Sequence, residues 1–258
     1  MIRFFLVAAM DVDRFLSKLF LRELKAKERQ ALLFTGLALV LMLAYFFGGS
    51  RGFFVERILP ILPVQFAVPD TVASFYQFAS AFLLLLILPL VAVKLTSRSR
   101  LSELNFGLGD WRRGLVVAIL GIVFISIPGG FFASLDPAFI IEYPLAKSAV
   151  ENPTRLVAYE LAYGLLYYVA WEGFFRGILQ SELSRFLGMI PALLIQVTAS
   201  TLIHIGKPVT EVWASLFAGM AFGIAVMHIR SIWPLVIVHW ALGTATDLFC
   251  AHAAGLWP

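Results

Sequence analysis

The sequence predicts an all-α polytopic membrane protein with about seven transmembrane helices and an N-terminal amphipathic interfacial helix. Three observations carry that prediction. Hydrophobic residues make up 60% of the 258 and charged residues 14%, with mean hydropathy +0.89, against roughly 45–50% and 25% in soluble domains. The apolar runs are long and lack the period-two alternation of barrel strands, so the backbone must satisfy itself within helices. The basic residues flank those runs instead of gathering in one module, which argues against nucleic acid as the partner of a chain of net charge +4. A soluble enzyme and a disordered chain are excluded by composition. A disulfide-stapled secreted domain is excluded because Cys250 is the one cysteine.

In chain order, residues 1–30 come first as a basic amphipathic segment. Val12, Phe15, Leu16, Leu19, Phe20 and Leu24 recur at helical spacing opposite Arg14, Lys18, Arg22, Lys25 and Arg29, the pattern of a helix lying on an anionic bilayer surface. The apolar run Phe4–Met10 is followed by Asp11 and Asp13 rather than a small-residue cleavage site, so the segment is expected to be retained. Residues 31–258 then form one membrane domain without internal repeats. Its spans fall near 31–49, 71–95, 114–134, 158–186, 188–206, 209–228 and 231–250, each near the roughly 20 residues a bilayer core requires. The Pro-interrupted stretch 59–69 reads as interfacial. With seven crossings, fifteen Lys and Arg fall on the side of the N-terminus and five on the other. The positive-inside rule therefore puts the N-terminus in the cytoplasm and the C-terminus outside, with the bacterial inner membrane as the expected location.

Charged groups inside the spans are the next signal, because each costs at least about 2.5–3.5 kcal/mol at the bilayer centre. Span 4 carries Glu160, Glu172 and Arg176, span 5 ends with His204, span 6 begins with Glu211, and span 7 carries His239 and Asp247. Glu172 and Arg176 are four apart on one helix face, as a simple ion pair also requires. Glu211 sits where a carboxylate would cap the free N–H groups of a first turn. Gly219 and Gly223 form a small-xxx-small stripe for close helix packing.

The order of these pieces, WEGFFRG, then His204, then a Gly-rich helix leading through Ser231-Ile232-Trp233-Pro234 to His239, resembles the CAAX-prenyl protease and bacteriocin-processing (CPBP, or Abi) family of intramembrane endopeptidases. The likeness covers residues 105–250. That family has EExxxR, FxxxH and HxxxN or HxxxD on successive helices. The resemblance matches Glu172 and Arg176 to the second acid and the base of the first motif, His204 to the second motif and His239 to the third. Three positions depart: Trp171 stands at the first glutamate, Ser200 at the Phe and Gly243 at the Asn or Asp. The WExFFRG, HxGKPxxE and later Asp pattern looks like a subgroup in which Glu172 acts as base with His204, Arg176 positions Glu172, and Asp247 assists His239. Glu211 is the alternative base.

What the resemblance implies is hydrolysis of a peptide bond in a membrane-associated or exported protein or peptide by glutamate- and histidine-activated water. Two histidines with carboxylates also suit a zinc site, so the cofactor is left open. The alternatives are a catalytically degenerate binding or bacteriocin-immunity protein of the same fold, and a small proton-coupled transporter relaying through Glu172, His204 and Asp247. At 1.5 Å per residue, Glu172 and His204 lie about 20 Å from the inner helix ends, so the site is expected at mid-depth to the outer half of the membrane.

Overall fold

The computed structural model describes residues 25–97 and 99–256. The expected N-terminal amphipathic helix, apart from its last few residues, lies outside them. Among the described residues the regular structure is entirely helical, apart from a single bridge between Ile205 and Lys207.

Seven long helical segments correspond to the seven expected ones: α1 (Ala26–Gly48), α2 (Pro69–Thr96), α3 (Trp111–Ala133), α4 (153–187), α5 (Met189–Leu202), α6 (Val209–Ile229) and α7 (Trp233–Ala253). Their ends follow local chemistry. Asp110 accepts from the Arg113 amide and Asn152 from the Arg155 amide, while Pro69, Pro153 and Pro234 occupy the first turns of their helices. Gly188 ends α4 with φ 85° and Arg230 ends α6 in the left-handed region. Between α1 and α2 the chain forms short helical turns over 51–61. Between α3 and α4 it forms a short helix, Pro137–Glu142.

Five of the seven helices are long and apolar enough to cross a membrane; α4 and α5 are not. All seven expected helices are present, and α4 and α5 differ from the other five in composition and length. Every residue from Ala170 to Leu183 of α4 is buried, so α4 meets protein rather than lipid and tolerates Glu172, Arg176, Gln180 and Glu182. Helix α5 has 14 residues, which is about 21 Å, too short for a core of about 30 Å. His204 therefore lies in the turn beyond α5 and not within a span. Helices α1, α3 and α6 each contribute to the apolar outer surface, with Val40, Phe124 and Phe217 exposed.

Two apolar clusters share α4. One gathers Tyr159, Tyr163 and Tyr167 around Phe78, with Tyr163 stacked on Phe78 at 4.7 Å. The other packs Trp171, Phe174, Phe175 and Ile178 against Leu85 and Leu104. Wide π turns at Tyr163–Tyr168 and Gly173–Leu179 flank the Glu172 turn, each re-aiming the side chains that follow. The glycine stripe of α6 receives two amides: Gln196 Nε2 donates to the Gly219 carbonyl at 3.1 Å and Gln180 Nε2 to that of Gly223 at 3.0 Å. At the opposite end of α4 from Asn152, Asn105 ties the 99–110 loop to Ser181 and accepts from the Ile232 amide.

Helices α3 and α7 meet backbone to backbone at Gly130, where an added Cβ would lie 2.6 Å from the Ala245 carbonyl carbon and 2.7 Å from the Thr246 nitrogen. Backbone cannot yield as a side-chain tip can, so Gly130→Ala is expected to destabilise the protein by about 1–3 kcal/mol. Thermal unfolding in detergent reads this as a lowered midpoint. Gly36→Ala, with open space around it, is the control that should leave the midpoint in place.

Candidate active site

Glu172 has no exposed surface. It lies between the two wide turns of α4, and its Oε1 accepts from His239 Nδ1 at 2.7 Å and from Arg176 Nη1 at 3.2 Å. Its Oε2 has no hydrogen-bond partner. Arg176 lies over the Phe222 ring at 5.7 Å, and the His239 ring is held between Tyr168 at 4.6 Å and Phe222 at 5.8 Å. One buried carboxylate thus serves a guanidinium on its own helix and an imidazole on α7. A buried charge is tolerated only when it is paired in this way.

His204 follows α5, where its Nδ1 meets the Ser200 carbonyl at 2.6 Å and its ring stands edge-on to Trp171 at 5.2 Å. A carbonyl can only accept, so Nδ1 carries the proton and neutral His204 keeps its lone pair on Nε2. His239, donating from Nδ1 to Glu172, is left with the same free nitrogen. Glu211 stands in the first turn of α6; its Oε1 accepts from the Tyr143 hydroxyl at 2.9 Å, and Oε2 is buried without a partner. Lys207 lies over the Tyr143 ring and bonds Glu142, which also accepts from Arg51 at 2.9 Å. Burial opposes the charge on Glu142, but the Lys207 ammonium and the Arg51 guanidinium outweigh it and hold the carboxyl below the usual carboxylate range.

Two cavities, of about 700 Å³ and 480 Å³, meet at a shared wall made by Tyr143, Tyr168, Trp171, His204, Glu211 and His239. The larger is the more polar of the two, with Arg51, Asp70, Glu142 and Lys207 beyond that wall. The smaller is apolar, bounded by Ile125 and Gly129 of α3, Phe217 and Ala221 of α6 and Leu242 of α7, with Arg176 as its charged member. Phe217 is 70% exposed, so this cavity reaches the apolar outer surface of the bundle.

Of the residues singled out from sequence, Glu172, Arg176 and His239 form one bonded cluster, while His204, Glu211 and His239 share the cavity wall. Two placements differ from expectation. Glu172 lines neither cavity, and both its hydrogen bonds go to His239 and Arg176, not to His204. Asp247 does not bond to His239. It is fully buried, accepts from the Tyr159 hydroxyl at 2.8 Å and lines neither cavity, because eight residues along α7 carry it about 12 Å beyond His239. Glu160 pairs with Thr244 at 2.6 Å. Among the described residues no three His, Cys, Asp or Glu side chains converge as metal ligands do. Sequence reasoning missed Tyr143 and Tyr168. The spacing of Tyr159, Tyr163 and Tyr167 marks a ladder on one face of α4, but nothing local says that Tyr168 faces a histidine on another helix.

Residues 153–245 match the model of the family described as type II CAAX prenyl endopeptidase Rce1-like, a family of proteases. No curated protein and no solved structure matches the chain. The matched stretch includes Glu172, Arg176, His204, Glu211 and His239 and stops short of Asp247.

Because the folded pKa of Glu142 is depressed, its ion pairs contribute stability above the unfolded carboxylate value, and that contribution is lost as pH falls through the lower folded value. Wild type should therefore melt above Glu142→Gln at neutral pH. The gap should persist through the ordinary carboxylate range near pH 4 and close only below it. Midpoints in detergent across pH 7 to 3 check this; a gap independent of pH would remove the ion pairs from the account.

Proposed function

We propose that this integral membrane protein is an intramembrane endopeptidase that hydrolyses a peptide bond of a membrane-associated or exported protein. The observation that carries the reading is the shared wall, where two imidazoles and a carboxylate stand between a polar and an apolar cavity. A substrate with a hydrophilic stretch next to an apolar one fits both compartments at once, and its scissile bond falls at the wall. Arg51, Glu142 and Lys207 all belong to segments on the face opposite the N-terminus. With the N-terminus cytoplasmic, the polar cavity opens outward, which favours an exported or membrane-anchored substrate cut near its outer juxtamembrane segment.

Amide hydrolysis needs a base for water and an acid for the leaving amine. Glu211 and His204 supply the first, since both residues line the shared wall and each keeps one side-chain atom, Oε2 and Nε2, without a hydrogen-bond partner. His239 supplies the second. Its Nδ1 is held by Glu172, which stabilises the imidazolium when Nε2 carries a proton, and Arg176 fixes the rotamer of that carboxylate. Glu172 then acts through His239 and not directly on water. A second reading, capture of a partner helix without cleavage, draws support from Trp171, which fills the first motif position and packs on Phe175 at 4.9 Å.

The test uses protein in liposomes with two probes, a farnesylated peptide with a CAAX tail and a single-span protein with a hydrophilic outer juxtamembrane segment. Wild type should cleave the second probe next to its span. Glu211→Gln and His204→Ala should each lower kcat by about 10²- to 10⁴-fold, while binding persists. Capture without cleavage by wild type would establish the binding reading, and full activity of Glu211→Gln would remove the assigned base.

A further inference from the structure

Resting on the endopeptidase reading, we propose that Tyr168 is a catalytic residue that donates a hydrogen bond to the carbonyl oxygen of the scissile peptide, stabilising the oxyanion formed during attack. Hydrolysis places negative charge on that oxygen, and a fixed donor in a water-poor site is worth more there than anywhere else along the reaction. The wall common to both cavities must supply the donor. Its hydrogens are largely committed: the Tyr143 hydroxyl to Glu211, the His204 Nδ1 proton to the Ser200 carbonyl, and the His239 Nδ1 proton to Glu172. Tyr168 and Trp171 remain. Tyr168 is the one packed on His239, at 4.6 Å between ring centroids, whereas Trp171 packs on His204.

The backbone is built around this hydroxyl. Gly243 lies one turn beyond His239 on α7, and a Cβ there would stand 2.0 Å from the Tyr168 hydroxyl oxygen and 2.7 Å from Cζ. Any side chain at 243 would push the hydroxyl away, so the absence of one leaves the space that the phenol occupies. Tyr168 closes the wide turn Tyr163–Tyr168. Its ring is pinned by Tyr163 at 4.5 Å and, edge-on, by Tyr167 at 5.4 Å. The donor is therefore rigid before substrate arrives, which is the condition for electrostatic stabilisation without reorganisation.

In the step itself the water oxygen bonds to the carbonyl carbon, its proton passes to the Glu211–His204 pair, and the carbonyl π electrons move onto oxygen. That oxygen accepts from the Tyr168 O–H without taking its proton. Collapse restores the carbonyl and breaks the C–N bond, and the proton taken from water passes from the Glu211–His204 pair through His239 Nε2 to the leaving amine, which returns all three side chains to their starting states.

Tyr168→Phe keeps the ring stack and removes only the donor. On the single-span probe it is expected to lower kcat by about 10²- to 10³-fold with KM within about twofold and the melting midpoint unchanged. Gly243→Ala should lower kcat with Tyr168 present, since it displaces the hydroxyl. Gly243→Asn combined with Tyr168→Ala should recover at least tenfold over Tyr168→Ala alone, by placing an amide donor in the vacated space. An active wild type with an equally active Tyr168→Phe would overturn this assignment alone, as would a kcat loss confined to Trp171→Phe. An inactive wild type would overturn the endopeptidase reading and this assignment with it.

Discussion

Glu172 is a carboxylate with no exposed surface that holds a guanidinium on its own helix and an imidazole on another. Much else follows from keeping it charged among protein atoms. Two partners are the minimum that makes such burial tolerable, and they fix two distances: α4 to α7 through His239, and one turn of α4 onto itself through Arg176. The wide turns either side of Glu172 set the carboxylate toward α7 while the rest of α4 packs on α2 and α5. His239 is then presented to both cavities with a defined tautomer, which no apolar contact would ensure.

The same constraint separates the helices into two kinds. Those that meet lipid are long, apolar and mostly exposed on one side, as Val40 of α1 and Phe124 of α3 illustrate. The polar groups of α4 lie in its enclosed stretch, Ala170–Leu183, and those of α5 lie on the side turned away from its exposed Ile190 and Leu194. Polar side chains can then recur at one-turn spacing, Arg176 with Gln180 on α4 and Gln196 with Ser200 on α5, and Gln180 and Gln196 donate to the glycine carbonyls of α6. The polar and apolar cavities meet where this enclosed core reaches the outer apolar surface, so one wall is available to a hydrophilic and a lipid-soluble part of the same substrate.

Much of the fold is legible in the sequence because hydropathy measures transfer into lipid, and five helices are long and apolar enough for that transfer. It misjudges α5, whose apolar run ends at a tight turn that leaves His204 outside the helix. The cluster Glu172, Arg176 and His239 is legible in part: the first two share a helix face, so spacing alone joins them. That Glu172 bonds His239 and not His204 is decided by the relative rotation of α4 and α7, which the wide turns alter and which no local spacing records. Asp247 looks like a partner for His239 because both lie on α7 and both are costly in a membrane. The pitch of the helix puts it two turns away, bonded to Tyr159. Tyr168 was invisible for the converse reason, since an aromatic residue in an apolar helix carries no cost that would draw notice.

A double-mutant cycle on the Glu172–Arg176 pair, read by equilibrium unfolding in detergent, tests the central claim most directly. If the burial of one charge is tolerated only because of the other, Glu172→Ala and Arg176→Met should each destabilise the protein by about 3–5 kcal/mol. The double variant should cost much less than the sum, since it leaves no buried charge unpaired. Single losses that simply add, or a Glu172→Ala protein as stable as wild type, would contradict it.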